Sequence, residues 1–110
     1  MELRVTDMGG AVLAETTGPI NEEIKDLLRQ KIHPVVAAPG AKVILDLSGS
    51  PRIDSQGLGH LVTLVAHANT NRSRVILCRV PPFIAVVIGM SKLDKFFELA
   101  ETREEAFAKE

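Results

Sequence analysis

The chain has 110 residues, 45% of them hydrophobic and 25% charged, with a formal net charge of −1. That length suits one small domain with one core, and that apolar content argues against disorder. With no basic excess to gather phosphates, and with no Trp, no Tyr and only four Phe to stack on bases, nucleic-acid binding is disfavoured.

The longest apolar run, residues 83–90, is far too short to span a bilayer. The opening "MELRVTDMGG" lacks the basic-then-apolar pattern of a signal peptide. The lone Cys78 cannot form an internal disulfide and lies in the strand-like run "RVILCRV", where it reads as a buried, inert thiol. The expectation is a single cytoplasmic domain, residues 1–110, with no direct membrane insertion.

Leu3 to Thr6 and Ala11 to Thr16 read as two strands, joined as a hairpin by the turn Asp7-Met8-Gly9-Gly10. Gly18-Pro19 breaks the pattern. Asn21 then reads as an N-cap, with Glu22 and Glu23 in the first turn, where a helix dipole favours anions. Ile24, Leu27, Leu28 and Ile32 follow at helical spacing, and Pro34 with "APG" at 38–40 ends the helix. Lys42 to Leu47 reads as a strand buried on both faces.

A short polar loop follows, and then a helix with Leu58, Leu61, Val62, Val65 and Ala68 on one stripe, ended by "NTNRS". Arg74 to Val80 is another buried strand, stopped by Pro81-Pro82. Phe83 to Met90 reads as a helix with Pro82 at its first position. Phe96 to Leu99 is a last short strand, and Thr102 to Lys109 a helix with Thr102 and Glu105 at capping-box spacing. The order β-β-α-β-α-β-α-β-α implies parallel crossovers and a mixed sheet of four to five strands, an α/β fold.

The stretch Asp54-Ser55-Gln56-Gly57-Leu58 stands between strand and helix. One reading is punctuation: Asp54 or Ser55 caps the helix and glycine permits a tight approach. The other is a modification site, because free N–H groups and the dipole at a helix N-terminus favour an added phosphate. "GLGHLV" lacks the third glycine of a dinucleotide fingerprint, and "DSQGLG" does not match a nucleophile elbow. His33, His60 and His67 stand at no metal-ligand spacing. No nucleophile, base and electrophile come together, so neither an enzyme nor a cofactor or metal site is expected.

The run "PPFIAVVIGM" is apolar all round. As a peripheral helix it would leave Phe83, Ala85 and Val86 outside, an apolar interface for a homodimer or a fixed protein partner. Otherwise it is partly strand, or covered by a terminus.

"VILDLSGSPRIDSQGLGHLV" resembles the hallmark segment of the STAS domain family, the sulfate transporter and anti-sigma factor antagonist domains. There a buried strand ends near an Asp, and Asp-Ser-Ser/Thr-Gly-Leu-Gly opens a helix; Asp54, Ser55, Gln56, Gly57, Leu58 and Gly59 occupy those places. "GPIN" at 18–21 and the tail from Pro81 are similar to further family segments, so the likeness covers nearly the whole chain.

The resemblance implies a mixed sheet with helices packed on one face. It implies a module of the standalone anti-sigma factor antagonist type, phosphorylated on Ser55. The unmodified form would bind an anti-sigma factor serine kinase and free a sigma factor, and a phosphatase would reset it. Asn21, Asp54, Ser55, Gln56, Gly57 and Leu58 would form the contact. Gln56 replaces the family's usual second hydroxyl and Asn21 its usual Asp, and Ala85, Val86 and Gly89 stand where relatives often carry charges. The resemblance also allows a constitutive subunit of a stress-signalling scaffold or of a membrane transporter complex.

Overall fold

The computed structural model describes residues 1–110. In chain order the elements are β1 (Glu2–Asp7), β2 (Val12–Thr17), α1 (Ile24–Lys31), α2 (His33–Val36) and β3 (Lys42–Gly49). Then come α3 (Ser55–Thr70), β4 (Arg74–Cys78), α4 (Pro82–Met90), β5 (Glu98–Ala100) and α5 (Arg103–Ala108). The five strands form one mixed sheet in the order β1-β2-β3-β4-β5. β1 runs antiparallel to β2, and every later pair is parallel.

The hairpin forms as its turn residues require. Gly9 adopts φ +91°, and the Gly9 N–H donates to Asp7 Oδ1 at 2.9 Å. The parallel strands are central and nearly continuous in apolar residues, because both of their faces are covered. In β3, Val43, Ile44, Leu45, Asp46 and Leu47 are all buried.

Strand alternation divides these side chains between two cores. Val43, Leu45, Leu47, Val75 and Leu77 join α1–α4 in the larger cluster, which includes Ile24, Leu28, Leu61, Leu64 and Ile84. Each fully buried Leu or Ile there stabilises the fold by roughly 1.5–3 kcal/mol relative to exposure. Ile44, Ile76 and Cys78 point the other way, to Ala106 and Phe107 of α5. So α1–α4 lie on one face, as the resemblance implies, and the six-residue α5 closes the other, which accounts for a strand buried on both faces.

An ionic network ties α5 down. The fully buried Asp46 accepts from the Ser48 N–H at 2.9 Å and from Arg103 Nε at 2.5 Å. Arg103 also donates to Glu15 Oε2 at 2.6 Å. Burial pushes the Asp46 carboxyl up, but the Ser48 N–H and the Arg103 guanidinium outweigh it and hold it below its ordinary value. At the far end of α5, Lys42 Nζ donates to the carbonyls of Phe107 and Lys109 at 2.9 and 2.6 Å.

Cys78 is fully buried as expected, and burial first, then the Asp46 charge, pushes its thiol up to about 11.

Two helix boundaries depart from the sequence reading. Asn21 is not the N-cap of α1: its Oδ1 accepts the Glu23 N–H at 3.0 Å in a preceding turn, and the helix begins at Ile24. The displacement follows from Ile20, which pairs with Ile53 in an isolated parallel bridge and keeps the chain extended up to Asn21. α1 stops at Lys31, ahead of Pro34 as expected, but Pro34 also stands in the first turn of a further short helix, α2, where its missing N–H costs nothing.

Candidate functional site

The site is assembled where three segments meet. β3 leads into the loop Ser50–Ile53, which is pinned from beneath: Ser50 is fully buried, and its Oγ shares a 2.6 Å hydrogen bond with Thr16 Oγ1 of β2. The Ile20 N–H donates to the Arg52 carbonyl at 2.9 Å, and the Asp54 N–H donates to the Ile20 carbonyl at 3.1 Å. These two bonds zip the Gly18–Asn21 segment to the loop.

Asp54 is extended, at φ −105° and ψ 179°, and its Oδ1 accepts the Gly57 N–H at 2.8 Å. It is the N-cap of α3, and its carbonyl takes the first helical bond from the Leu58 N–H at 2.9 Å. Of the two candidate caps, Asp54 fills the role. Ser55 is therefore the first helical residue, exposed, with its hydroxyl not spent on capping. The N–H groups of Ser55 and Gln56 lie in the helix's open first turn, where no intrahelical acceptor exists.

Gly57 is buried for a steric reason. A Cβ there would stand 2.3 Å from the Ile20 carbonyl oxygen and 2.6 Å from its carbon. Only glycine lets the first turn of α3 lie against the Gly18–Asn21 segment. Leu58 is buried in the main core. Gly57 and Leu58 thus shape the surface from below, while Asp54, Ser55 and Gln56 are presented outward.

A cavity of about 270 Å³ beside this turn is lined by Pro19, Ile20, Asn21, Arg52, Ile53, Asp54 and Phe83. It brings Asn21 and Asp54, both singled out in the sequence, next to Phe83 at the start of α4. Ala85 and Val86 do not line it, but both are exposed farther along α4.

Only Ile84 and Ile88 of α4 are buried, whereas Phe83 is 55%, Val86 57% and Met90 80% exposed. The outward apolar face expected from "PPFIAVVIGM" is present, and Met90 extends it by one turn. Glu22, in the turn after Asn21, accepts from His60 on α3, its Oε1 lying 2.7 Å from His60 Nε2. That bond holds the Glu22 carboxyl below its ordinary value. No local signal marks this pair, whose members lie 38 residues apart.

A mixed sheet whose third strand feeds, through a pinned loop, an exposed serine at the head of a capped helix defines a class of small α/β domain that presents a turn outward. The chain belongs to the STAS domain family, which it matches over residues 2–106. It is 25% identical over 108 residues to BtrV of Bordetella bronchiseptica, whose name places it with the anti-sigma factor antagonists; the match covers 98% of this chain and 93% of that protein.

Among solved structures it resembles a Thermotoga maritima protein carrying the same designation, with TM-score 0.85, 20% identity and coverage of 96% and 91% of the two chains. It also resembles the anti-sigma factor antagonist SpoIIAA in its unphosphorylated form, with TM-score 0.78, 20% identity and coverage of 96% and 93%. SpoIIAA of Bacillus has been solved in a phosphorylated form as well. The likeness to these structures establishes the fold, the five-stranded mixed sheet with helices of a STAS domain.

Proposed function

We propose that this STAS domain is a protein-binding module switched by phosphorylation of Ser55, and that in the unmodified state it binds an anti-sigma factor serine kinase and so releases a sigma factor. The observation that carries this reading is the division of labour at the head of α3: Asp54 caps the helix and Ser55 is left exposed with a free role.

In the proposed reaction Ser55 Oγ attacks the γ-phosphorus of ATP held by the kinase. ADP leaves, and the hydroxyl proton passes to the kinase or to solvent. The phosphoryl group then sits at the N-terminus of a 16-residue helix, near the N–H groups of Ser55 and Gln56, which favours it. It also sits beside the Asp54 carboxylate, which repels it. The modified turn therefore differs from the unmodified one in charge and in contact shape, and a partner fitted to the neutral serine is displaced. A phosphatase returns the hydroxyl. The role is binding rather than catalysis, and it is read as that of a single cytoplasmic domain.

Asn21 and Arg52 flank the switch across the 270 Å³ cavity. Asn21 supplies an amide where the family's usual residue is Asp, which spares an incoming phosphoryl group one further negative charge.

Incubation with the cognate kinase and ATP should add one phosphoryl group by intact mass, and Ser55→Ala should abolish the addition. In a binding titration Ser55→Asp should weaken the kinase complex by at least tenfold, about 1.4 kcal/mol, while Ser55→Ala keeps it. Equal affinities for the two variants would overturn the switch. They would favour the second reading, a constitutive STAS subunit of a signalling scaffold or transporter complex, which the outward apolar face of α4 supports.

A further inference from the structure

The groove between α1 and α3, behind the switch turn, is lined by basic groups that the reading above leaves without a role. Lys25, Arg29 and His33 recur at four-residue intervals along α1 and into α2, so they stand on one side of successive turns. His60 and Thr63 face them from α3. Together with Leu28, which is buried and forms the floor, they enclose a cavity of about 210 Å³.

Like charges four residues apart on a helix repel one another, and a bound counter-charge relieves that repulsion. Asp26 and Glu23 of the same segment do not line the cavity. Glu22, which precedes α1, is already engaged at 2.7 Å by His60. Four groups that carry or can take positive charge therefore converge on a small concave space whose wall holds no acid of its own.

We propose that this groove binds a phosphate-type oxyanion, with Lys25 and Arg29 supplying fixed positive charge and His33 a directed hydrogen bond, while the Thr63 hydroxyl is held by the Gly59 carbonyl at 3.0 Å and His60 Nε2 by Glu22. The size fits one tetrahedral oxyanion with part of its hydration shell. Guanidinium and ammonium groups suit it chemically, as a planar fork and a point charge. The His33 ring is held in place by the His67 ring, 5.0 Å away between centroids at 60°.

Charge also sets the sign of the pH dependence. His33 faces His67 and Arg29, and burial first, then these two groups, holds it below its ordinary value. His60 faces Glu22, whose charge is in turn felt by Lys25 and Asp54. A bound anion favours the protonated form of the His33 ring. Affinity must then rise as pH falls from 8 to 6. This inference stands apart from the proposed phosphorylation of Ser55, because Ser55 does not line the groove.

The test is a two-dimensional amide NMR titration of the full chain with sulfate, which keeps its charge across this pH range. Inorganic phosphate and a phosphoserine peptide spanning residues 49–60 would then distinguish a free oxyanion from one carried on protein. Saturable shifts should centre on Arg29, His33, His60 and Thr63. Binding at pH 6 should be several-fold tighter than at pH 8.

The double variant Lys25→Gln/Arg29→Gln should lose at least tenfold in affinity, and Glu22→Gln should gain. An amide spectrum of the double variant unchanged away from the groove would show that the fold is intact. Linear, unsaturated shifts spread equally over remote basic residues such as Lys92 and Lys95 would overturn the proposal. So would an affinity unchanged by the double variant or by pH.

Discussion

Two glycines of the hallmark turn offer a test in which the same chemical change should have opposite signs. Gly57→Ala would place a Cβ 2.3 Å from the Ile20 oxygen, 2.6 Å from the Ile20 carbon and 2.9 Å from Ile20 Cγ2. Two of those three atoms are backbone, so no side chain can swing aside. The Gly18–Asn21 segment must move away from α3, and that motion strains both bonds of the zipper, Ile20 N–H to Arg52 and Asp54 N–H to Ile20.

Overpacking of this kind costs about 1–3 kcal/mol. Weakening two backbone hydrogen bonds adds up to about 1 kcal/mol each. Against these stands a gain of less than about 1 kcal/mol in helix propensity. The net expectation is a loss of about 2–3 kcal/mol.

At Gly59, one turn position later on the exposed side, nothing lies within 4 Å of an added Cβ. There only the propensity remains, and Gly59→Ala should gain about 0.5–1 kcal/mol. Urea unfolding of the two variants, read as a change in midpoint at constant slope, measures both. Thermal midpoints should separate by roughly 4 °C or more per kcal/mol of difference for a domain of this size. A Gly57→Ala protein as stable as Gly59→Ala would refute the close approach of α3 to Ile20, and with it the account of how Ser55 is positioned.

Three further outcomes follow. If the outer face of α4 is an interface, sedimentation of the isolated chain should show self-association or a tight complex with its partner, which Val86→Lys weakens without loss of fold; a clean monomer unaffected by Val86→Lys would remove that surface from consideration. Asp46 has a folded pKa below its ordinary value, so it stabilises the fold above its unfolded value of about 3.9 and that contribution is lost as pH falls through the folded value. Asp46→Asn should therefore cost about 1–3 kcal/mol at neutral pH and flatten the acid-unfolding curve below about pH 4, whereas parallel curves for the two proteins would contradict the pairing with Arg103. The Cys78 thiol, pushed up to about 11 and fully buried, should resist a thiol reagent at pH 8 in the folded protein and react at once in denaturant; prompt reaction of the native form would show that α5 does not seal its face.

The hallmark segment was the most legible part of the chain because its signals are local. The apolar run from Val43 to Leu47, the acid at Asp54 and the stripe from Leu58 to Ala68 each announce their element within a few residues. Pro82 and the Thr102–Glu105 pair likewise mark helix starts, and the Thr102 hydroxyl accepts the Glu105 N–H at 3.0 Å.

What could not be read depended on distant partners. Asn21 has the chemistry of a cap, but pairing of Ile20 with Ile53 holds the chain extended and delays the helix. Asp46 looked like one polar residue in a buried strand; its partner Arg103 lies 57 residues on, and Glu15 meets that same arginine across 88. The second core beneath α5 was hidden for the same reason, since a strand buried on both faces does not say what covers each.

Neighbours along the sheet are also neighbours in time. Because the strand order is β1-β2-β3-β4-β5, a chain leaving the ribosome can lay each new strand onto an edge that already exists, and no strand must be inserted between two that have paired. The two faces of the sheet mature at different moments. The face bearing α1–α4 gains its covering helices as it grows. The other must wait for α5, and until Arg103 arrives Asp46 lacks its guanidinium, while Leu13, Ile44 and Ile76 stay uncovered. The nascent protein is therefore most exposed to misassociation until α5 emerges, and a chain cut short of Arg103 would keep that sticky surface permanently.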